Sequence, residues 1–238
     1  MFSKVITRDS MTGRLILIDV NNTILKDQRD VSEYVFEAIR SKYGLEVQFR
    51  LEDYEGVPAQ IMIADILEKN GVSKEEIGAR LESCAEELGY SYYNVTGRDP
   101  ITVLDGSKQL LDALAKEGTL VGIVTGDIED VVRNKLQRAN LSEYFKLGEY
   151  GNRETDFKAI VEKAISRAKS EFGLDGGATV WVLASHPGLI RGAKSANANV
   201  IGIASGRYGR DELVSAGADE VVDSIKDRGR IMKAVLRQ

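Results

Sequence analysis

The chain has a single cysteine and a single histidine in 238 residues. Cys84 alone excludes an internal disulfide and a cysteine-rich metal site, and it suits a reducing, cytoplasmic setting. No apolar run approaches the ~18 residues that a bilayer-spanning helix needs, so no membrane partner is expected. The opening "MFSKVITRDSMTGR" lacks an apolar core and does not read as an export signal. There is no basic excess either: 32 Lys and Arg against 37 Asp and Glu leave a net charge of −5, with basic residues scattered among acids. That argues against a nucleic-acid partner. No internal repeat or low-complexity tract is visible. The composition, 43% apolar and 29% charged, is that of an ordinary soluble globular protein. Its length suits one large α/β domain with an insertion, or two modest domains.

What is present begins with "RLILIDVNNTILKD", residues 14 to 27, an apolar run that ends on Asp19 and then on two amides, Asn21 and Asn22. From residue 100 onward short apolar runs alternate with amphipathic stretches. "TLVGIVT" (119 to 125), "TVWVLAS" (179 to 185), "NVIGIAS" (199 to 205) and "DEVVD" (219 to 223) read as strands. Between them, Ile128, Val131, Val132 and Leu136 share one helical face, and Phe157, Ile160, Val161, Ala164, Ile165 and Ala168 share another. Short apolar strands each followed by a helix imply a doubly wound, Rossmann-like parallel sheet covered on both faces. In such sheets the reacting groups lie just past the carboxyl ends of the strands, where Asp19, Thr125 and Ser185 all fall.

The first strand does not lead directly into the next. Val31, Tyr34, Val35, Ala38 and Ile39 form an amphipathic face, and "VPAQIMIADILEKNG" and "SKEEIGARLESCAEELGYSYY" supply two further helices. Polar, turn-prone flanks, "KDQRD" and "NVTGRDP", bracket this block. The expected organisation is therefore a core domain of residues 1–26 and 100–238, with residues 27–99 inserted as a helical cap over the strand ends.

Asp19 at a strand tip, the helical insertion, "VTGD" at the next tip and "LASHPGLIRGAKSANANVIGIASG" together resemble the haloacid dehalogenase superfamily, in particular its phosphoglycolate-phosphatase-like group with a helical cap. The resemblance runs from about Arg14 to Ile225. It implies that Asp19 is the nucleophile of a motif Asp-x-Asp-Gly-Thr, which here reads Asp19-Val20-Asn21-Asn22-Thr23. Asn21 then stands where the family has its general acid/base, and an amide cannot exchange a proton near neutral pH. Such a loss typically lowers the rate by ~10²–10⁴. Asn22 replaces a glycine, and asparagine is well suited to a left-handed turn. The resemblance assigns Thr125, Gly126 and Asp127 to the phosphoryl-binding loop.

The family's neutralising cation falls on Phe157, a core-like ring. Lys158 is adjacent but rotated about 100° around the helix, and its long stem gives it a chance of reaching the site. The family's metal-holding pattern Gly-Asp-Thr-Pro-x-Asp becomes Ala184-Ser185-His186-Pro187-Gly188-Leu189, so both acids are gone. The resemblance implies Mg²⁺ held by Asp19 and by the backbone carbonyl of Asn21, but one carboxylate and a hydroxyl should hold it weakly or not at all. His186 lies at a strand tip, where it could contact a substrate or act near neutral pH. The expectation is a phosphatase-like protein whose Mg²⁺-dependent phosphomonoester hydrolysis is lost or very weak. It would serve binding or regulation through a small phosphorylated or anionic ligand in the cleft. The alternative is an active hydrolase using Asp19 on a small phosphorylated metabolite, or without metal as the 2-haloacid dehalogenases do.

Overall fold

A computed structural model describes residues 13–27, 32–96 and 101–237. Six parallel strands form the central sheet: β1 (Arg14–Ile18), β4 (Leu120–Thr125), β5 (Leu147–Tyr150), β6 (Thr179–Ala184), β7 (Asn199–Ile203) and β8 (Glu220–Val222). Their spatial order is β5-β4-β1-β6-β7-β8. The chain therefore winds outward on one side of β1 and returns to wind outward on the other, which makes the tip of β1 the switch point of the sheet. Asp19 is the first residue past that tip, and its N–H donates to the Leu183 carbonyl of β6 at 3.0 Å.

β1 is apolar from Leu15 to Ile18 because both its faces are covered there. Ile16 and Ile18 join the cluster packed with Leu110, Leu111 and Val132 from helices α4 (Ser107–Lys116) and α5 (Glu129–Arg138). Leu15 and Leu17 face the other way, into a cluster with Ile160, Val161, Leu189 and Ile190 from α6 (Phe157–Phe172) and α7 (Pro187–Ser195). Helix α6 starts where Asp156 accepts the N–H groups of Lys158 and Ala159, and stops at Gly173 with φ 70°. Two further helices, α8 (Arg210–Ser215) and α9 (Arg228–Leu236), complete the covering.

Between β1 and β4 the chain forms α1 (Ser32–Tyr43), α2 (Ala59–Lys69) and α3 (Lys74–Thr96). These helices share a hydrophobic cluster of their own, in which Ile39, Ile63, Leu67, Leu88 and Tyr92 are buried together with Val131 of α5 and Ile128 just before it. A two-stranded antiparallel ribbon, β2 (Leu25–Asp27) with β3 (Ile101–Val103), carries the chain into and out of this block. Val31 and the outer limits of the hinge crossings fall outside the described residues.

Two elements go beyond the sequence reading. The β2–β3 ribbon borders the flanks expected to be turn-prone, overlapping the first at Lys26–Asp27 and following the second, and its three-residue strands are too short to show a pattern. Strand β5 was hidden by a charge in its middle. Glu149 is buried there at 1% exposure because the Arg167 guanidinium of α6 meets it at 2.9 Å.

Candidate functional site

The tips of β1, β4 and β6 converge beneath the helical block and enclose a cavity of about 530 Å³. Asp19, Asn21, Thr125, Lys135, Ser185 and His186 come from the sheet side, and Tyr34, Phe49, Tyr54 and Met62 from the insertion. The insertion sits directly on the strand tips. The Ala59 N–H donates to the Gly126 carbonyl at 2.7 Å, and Gly56, at φ 77°, leaves a Cβ no room against His186. From the loop after β7, Arg207 donates to the Glu52 carbonyl at 2.7 Å.

Asp19 is buried at 3% exposure, with Oδ1 accepting the Val20 N–H at 2.9 Å. Burial pushes its carboxyl up to about 7, with the nearby Asp127 charge adding to the rise; Thr125, the Val20 N–H and Lys135 pull against it. Asn22 takes φ 55°, the left-handed turn that a glycine would adopt without strain. Thr23 is fully buried.

His186 stands 3.7 Å from Asp19 through Nε2, a separation at which a charged pair could form. It does not form one. Nδ1 accepts the Leu189 N–H at 3.2 Å, which makes His186 the cap of α7, and burial followed by the Arg191 charge pushes its titration down to about 4. The ring is thus neutral at physiological pH, with its hydrogen on Nε2 facing Asp19.

The residue that sequence reasoning missed is Lys135. Its ammonium donates to Asn21 Oδ1 at 2.9 Å and to Asp127 Oδ2 at 3.2 Å, and it lies 5.4 Å from the centre of the Tyr92 ring. The Asn21 amide closes the triangle, Nδ2 donating to Asp127 Oδ2 at 3.1 Å. Asp127 Oδ1 accepts the Ile128 N–H at 2.8 Å, so both oxygens of that carboxylate are engaged. The signal was in the sequence: position 135 continues the apolar stripe 128, 131, 132 and 136, where a lysine must bury its charge.

Lys158 behaves otherwise than expected. It points away from the cleft, about half exposed, and its ammonium lies 3.6 Å from Glu162 on the same helix. The rotation that separates it from Phe157 faces it to solvent, and the long stem does not reverse that. Phe157 does face the site: its ring packs 5.1 Å from the His186 ring and closely against Gly126.

A divalent cation finds a poor donor set. The Asn21 carbonyl already accepts the Ser185 hydroxyl at 3.1 Å and the Thr23 hydroxyl at 3.5 Å. Leu189 is fully buried among apolar side chains, and Asp127 is held by an ammonium. Among the described residues no three His, Cys, Asp or Glu side chains come together. Asp19 is the carboxylate that remains of the expected ligand set, a thin set for a hard cation that relies on oxygen donors.

With this geometry in view, the family is plain. Residues 14–182 match the haloacid dehalogenase-like hydrolases, and the chain belongs to that family. A phosphoglycolate phosphatase of Vibrio cholerae is 24% identical over 133 residues, a match spanning 56% of this chain and 59% of that protein, less than two thirds of its length. Among solved structures, a predicted phosphoglycolate phosphatase from Haemophilus somnus has a TM-score of 0.68 at 17% identity, covering 93% of this chain and 99% of that one. CbbY from Rhodobacter sphaeroides, solved in complex with phosphate, has a TM-score of 0.67 at 19% identity, covering 91% and 96%. At such identities the structural likeness is one of fold. Among the described residues no helix is long and apolar enough to cross a membrane.

Proposed function

We propose that this chain is a phosphatase-fold protein in which ordinary Mg²⁺-dependent phosphomonoester hydrolysis is lost or very weak, and in which the cleft over Asp19 serves ligand binding. The observation that carries the reading is the donor set at the strand tips. Ser185 and Leu189 replace acids, Asn21 cannot shuttle a proton, and Phe157 fills the place expected of a cation. Phosphoryl transfer is catalysed by positioning and charge neutralisation, and the Lys135 ammonium is engaged by Asp127 and Asn21 instead of a phosphate. The family resemblance puts the oxyanion head of a ligand against Thr125 and Gly126, which line the cavity, so a small phosphorylated or anionic molecule stays the family-based choice of ligand. Buried Cys84, whose thiol is pushed up to about 12 by burial and is therefore unreactive, fits a cytoplasmic role.

Retention of Asp19 at the switch point favours a second reading, attack by Asp19 without metal on a substrate whose leaving group needs no proton. One panel separates the two. Phosphoglycolate, p-nitrophenyl phosphate, acetyl phosphate and 2-chloropropionate are assayed in Mg²⁺ and in EDTA, with Asp19→Ala as the blank. Background rates throughout support the first reading; metal-independent turnover lost in Asp19→Ala supports the second. Robust Mg²⁺-dependent phosphoglycolate turnover overturns both.

A further inference from the structure

Every charge at the strand tips has to be balanced by something, and in this cleft the balance is internal. Lys135 is buried at 3% exposure, eight residues past Asp127 on α5, and its ammonium reaches back to the loop after β4 and across to the loop after β1. A buried ammonium is stable only with a counter-charge and hydrogen-bond acceptors, and Asp127 and Asn21 supply these. The same ammonium faces Tyr92, a fully buried residue of α3, so it also joins the insertion to the core. Its charge reaches Asp19, whose carboxylate it stabilises against burial and against Asp127.

We infer that Lys135 is the resident cation of this cleft, standing in for a divalent ion: it neutralises the strand-tip carboxylates, fixes the side chain of Asn21 and seats the insertion through Tyr92. The inference rests on the reading proposed above and explains why the site is indifferent to metal. A divalent ion approaching Asp19 meets a fixed positive charge and finds Asp127 already taken, so both electrostatics and donor count oppose it. Position 21 is part of the same arrangement. An amide offers one oxygen to the ammonium and one N–H to the carboxylate, whereas an aspartate there would set two carboxylates against one lysine. Asn21 thus works as a bridge between Asp127 and Lys135 and has no proton to lend to chemistry.

The test removes the ammonium and asks whether a metal takes its place. The wild-type protein, Lys135→Gln and Lys135→Gln/Asp127→Asn are melted in EDTA and in millimolar Mg²⁺, and Mg²⁺ binding is measured by calorimetry. Wild type should give the same Tm in both buffers, to within about 1 °C, and no binding heat. Lys135→Gln should melt about 10 °C lower in EDTA, because a buried carboxylate loses its partner. It should recover by about 3 °C or more in Mg²⁺. In the double variant, which also lacks the Asp127 carboxylate, melting should be insensitive to Mg²⁺. A purely structural lysine would give the loss without the Mg²⁺-specific recovery. Saturable Mg²⁺ binding by wild type overturns the inference outright. So does a Lys135→Gln chain that is unmoved by Mg²⁺, including one that is unfolded in both buffers. Mg²⁺-dependent phosphatase activity of wild type defeats this inference and the proposed function together, whereas an inactive wild type with an inert Lys135→Gln defeats this inference alone.

Discussion

Replacing Asp19 with asparagine should make the protein more stable at alkaline pH, and the size of the effect follows from two buried groups. In the unfolded chain the Asp19 carboxyl titrates at 3.8, and in the folded cleft at about 7. The folded state therefore holds this proton more tightly, and its stability falls as pH rises from about 4 to about 7. At ~1.4 kcal/mol per pH decade, the penalty is about 4 kcal/mol once pH exceeds 7. His186 works in the opposite sense. It takes up a proton at 6.5 when unfolded but only at about 4 when folded, so stability is lost as pH falls from 6.5 to 4, by about 3 kcal/mol. In wild type the two slopes nearly cancel between pH 4 and 6.5. An asparagine keeps an oxygen for the Val20 N–H but carries one more amide hydrogen than the protonated acid, and burying it without a partner costs about 1–2 kcal/mol. The variant should thus gain about 2 kcal/mol at pH 8. Below pH 6.5 it should show the uncancelled histidine slope, about 3 kcal/mol down to pH 4. Urea denaturation at several pH values measures both. An Asp19→Asn protein less stable than wild type at pH 8, or one with no acid-side slope, would refute the reasoning.

Three further outcomes are expected. Asn21→Asp alone should not produce phosphatase activity, because Ser185 and Leu189 still stand where the metal-holding acids are expected and Phe157 where the cation is; Mg²⁺-dependent p-nitrophenyl phosphate turnover above the wild-type rate would contradict this. Leu189→Asp, which restores the acid of the family pattern, should destabilise the fold by about 3 kcal/mol or more at pH 8, since it puts a carboxylate among fully buried apolar side chains; denaturant midpoints decide it. Gly151→Ala should lower the melting temperature by several degrees, because a Cβ there collides with the Gly126 carbonyl and forces apart the loops after β4 and β5; an unchanged melt would show that these loops yield freely.

Legibility from sequence differed by kind of information. The sheet was readable because both faces are covered: a run such as Leu15–Ile18 has no polar alternation to confuse it, and a residue at its end must lie at a strand tip. The same rule puts Asp19, Thr125 and Ser185 together at neighbouring strand tips. Strand β5 was not readable, since a buried Glu149 looks like a surface residue until Arg167 is found opposite it. Lys158 and Lys135 show the harder case. Sequence proximity to Phe157 favoured Lys158, but the direction of a helical side chain is set by its 100° step, and that step turned it to solvent. Lys135 lay outside every recognised motif, and only its place in an apolar stripe marked it. The acceptors that make its burial tolerable, Asn21 and Asp127, come from two other loops, and no local pattern could bring them together.

The stability argument also bears on what Asp19 is for. The Lys135 ammonium is bonded to Asp127, and the imidazole beside Asp19 is neutral, so above pH 7 the chain keeps a buried carboxylate whose burial outweighs the pull of Thr125, the Val20 N–H and Lys135. Asparagine would fill the same space without that penalty. A residue that weakens the fold in its own position is accounted for in one of two ways. Either its charge meets a ligand or substrate in the cleft, or it is a remnant whose cost the rest of the core absorbs. Asp19→Asn separates these because the variant is expected to fold better than wild type. Any binding or turnover that disappears in it was lost with the charge and not with the structure. If the more stable variant keeps every property of the parent, the carboxylate at the switch point is a remnant, and the function of the cleft belongs to its walls and to Lys135.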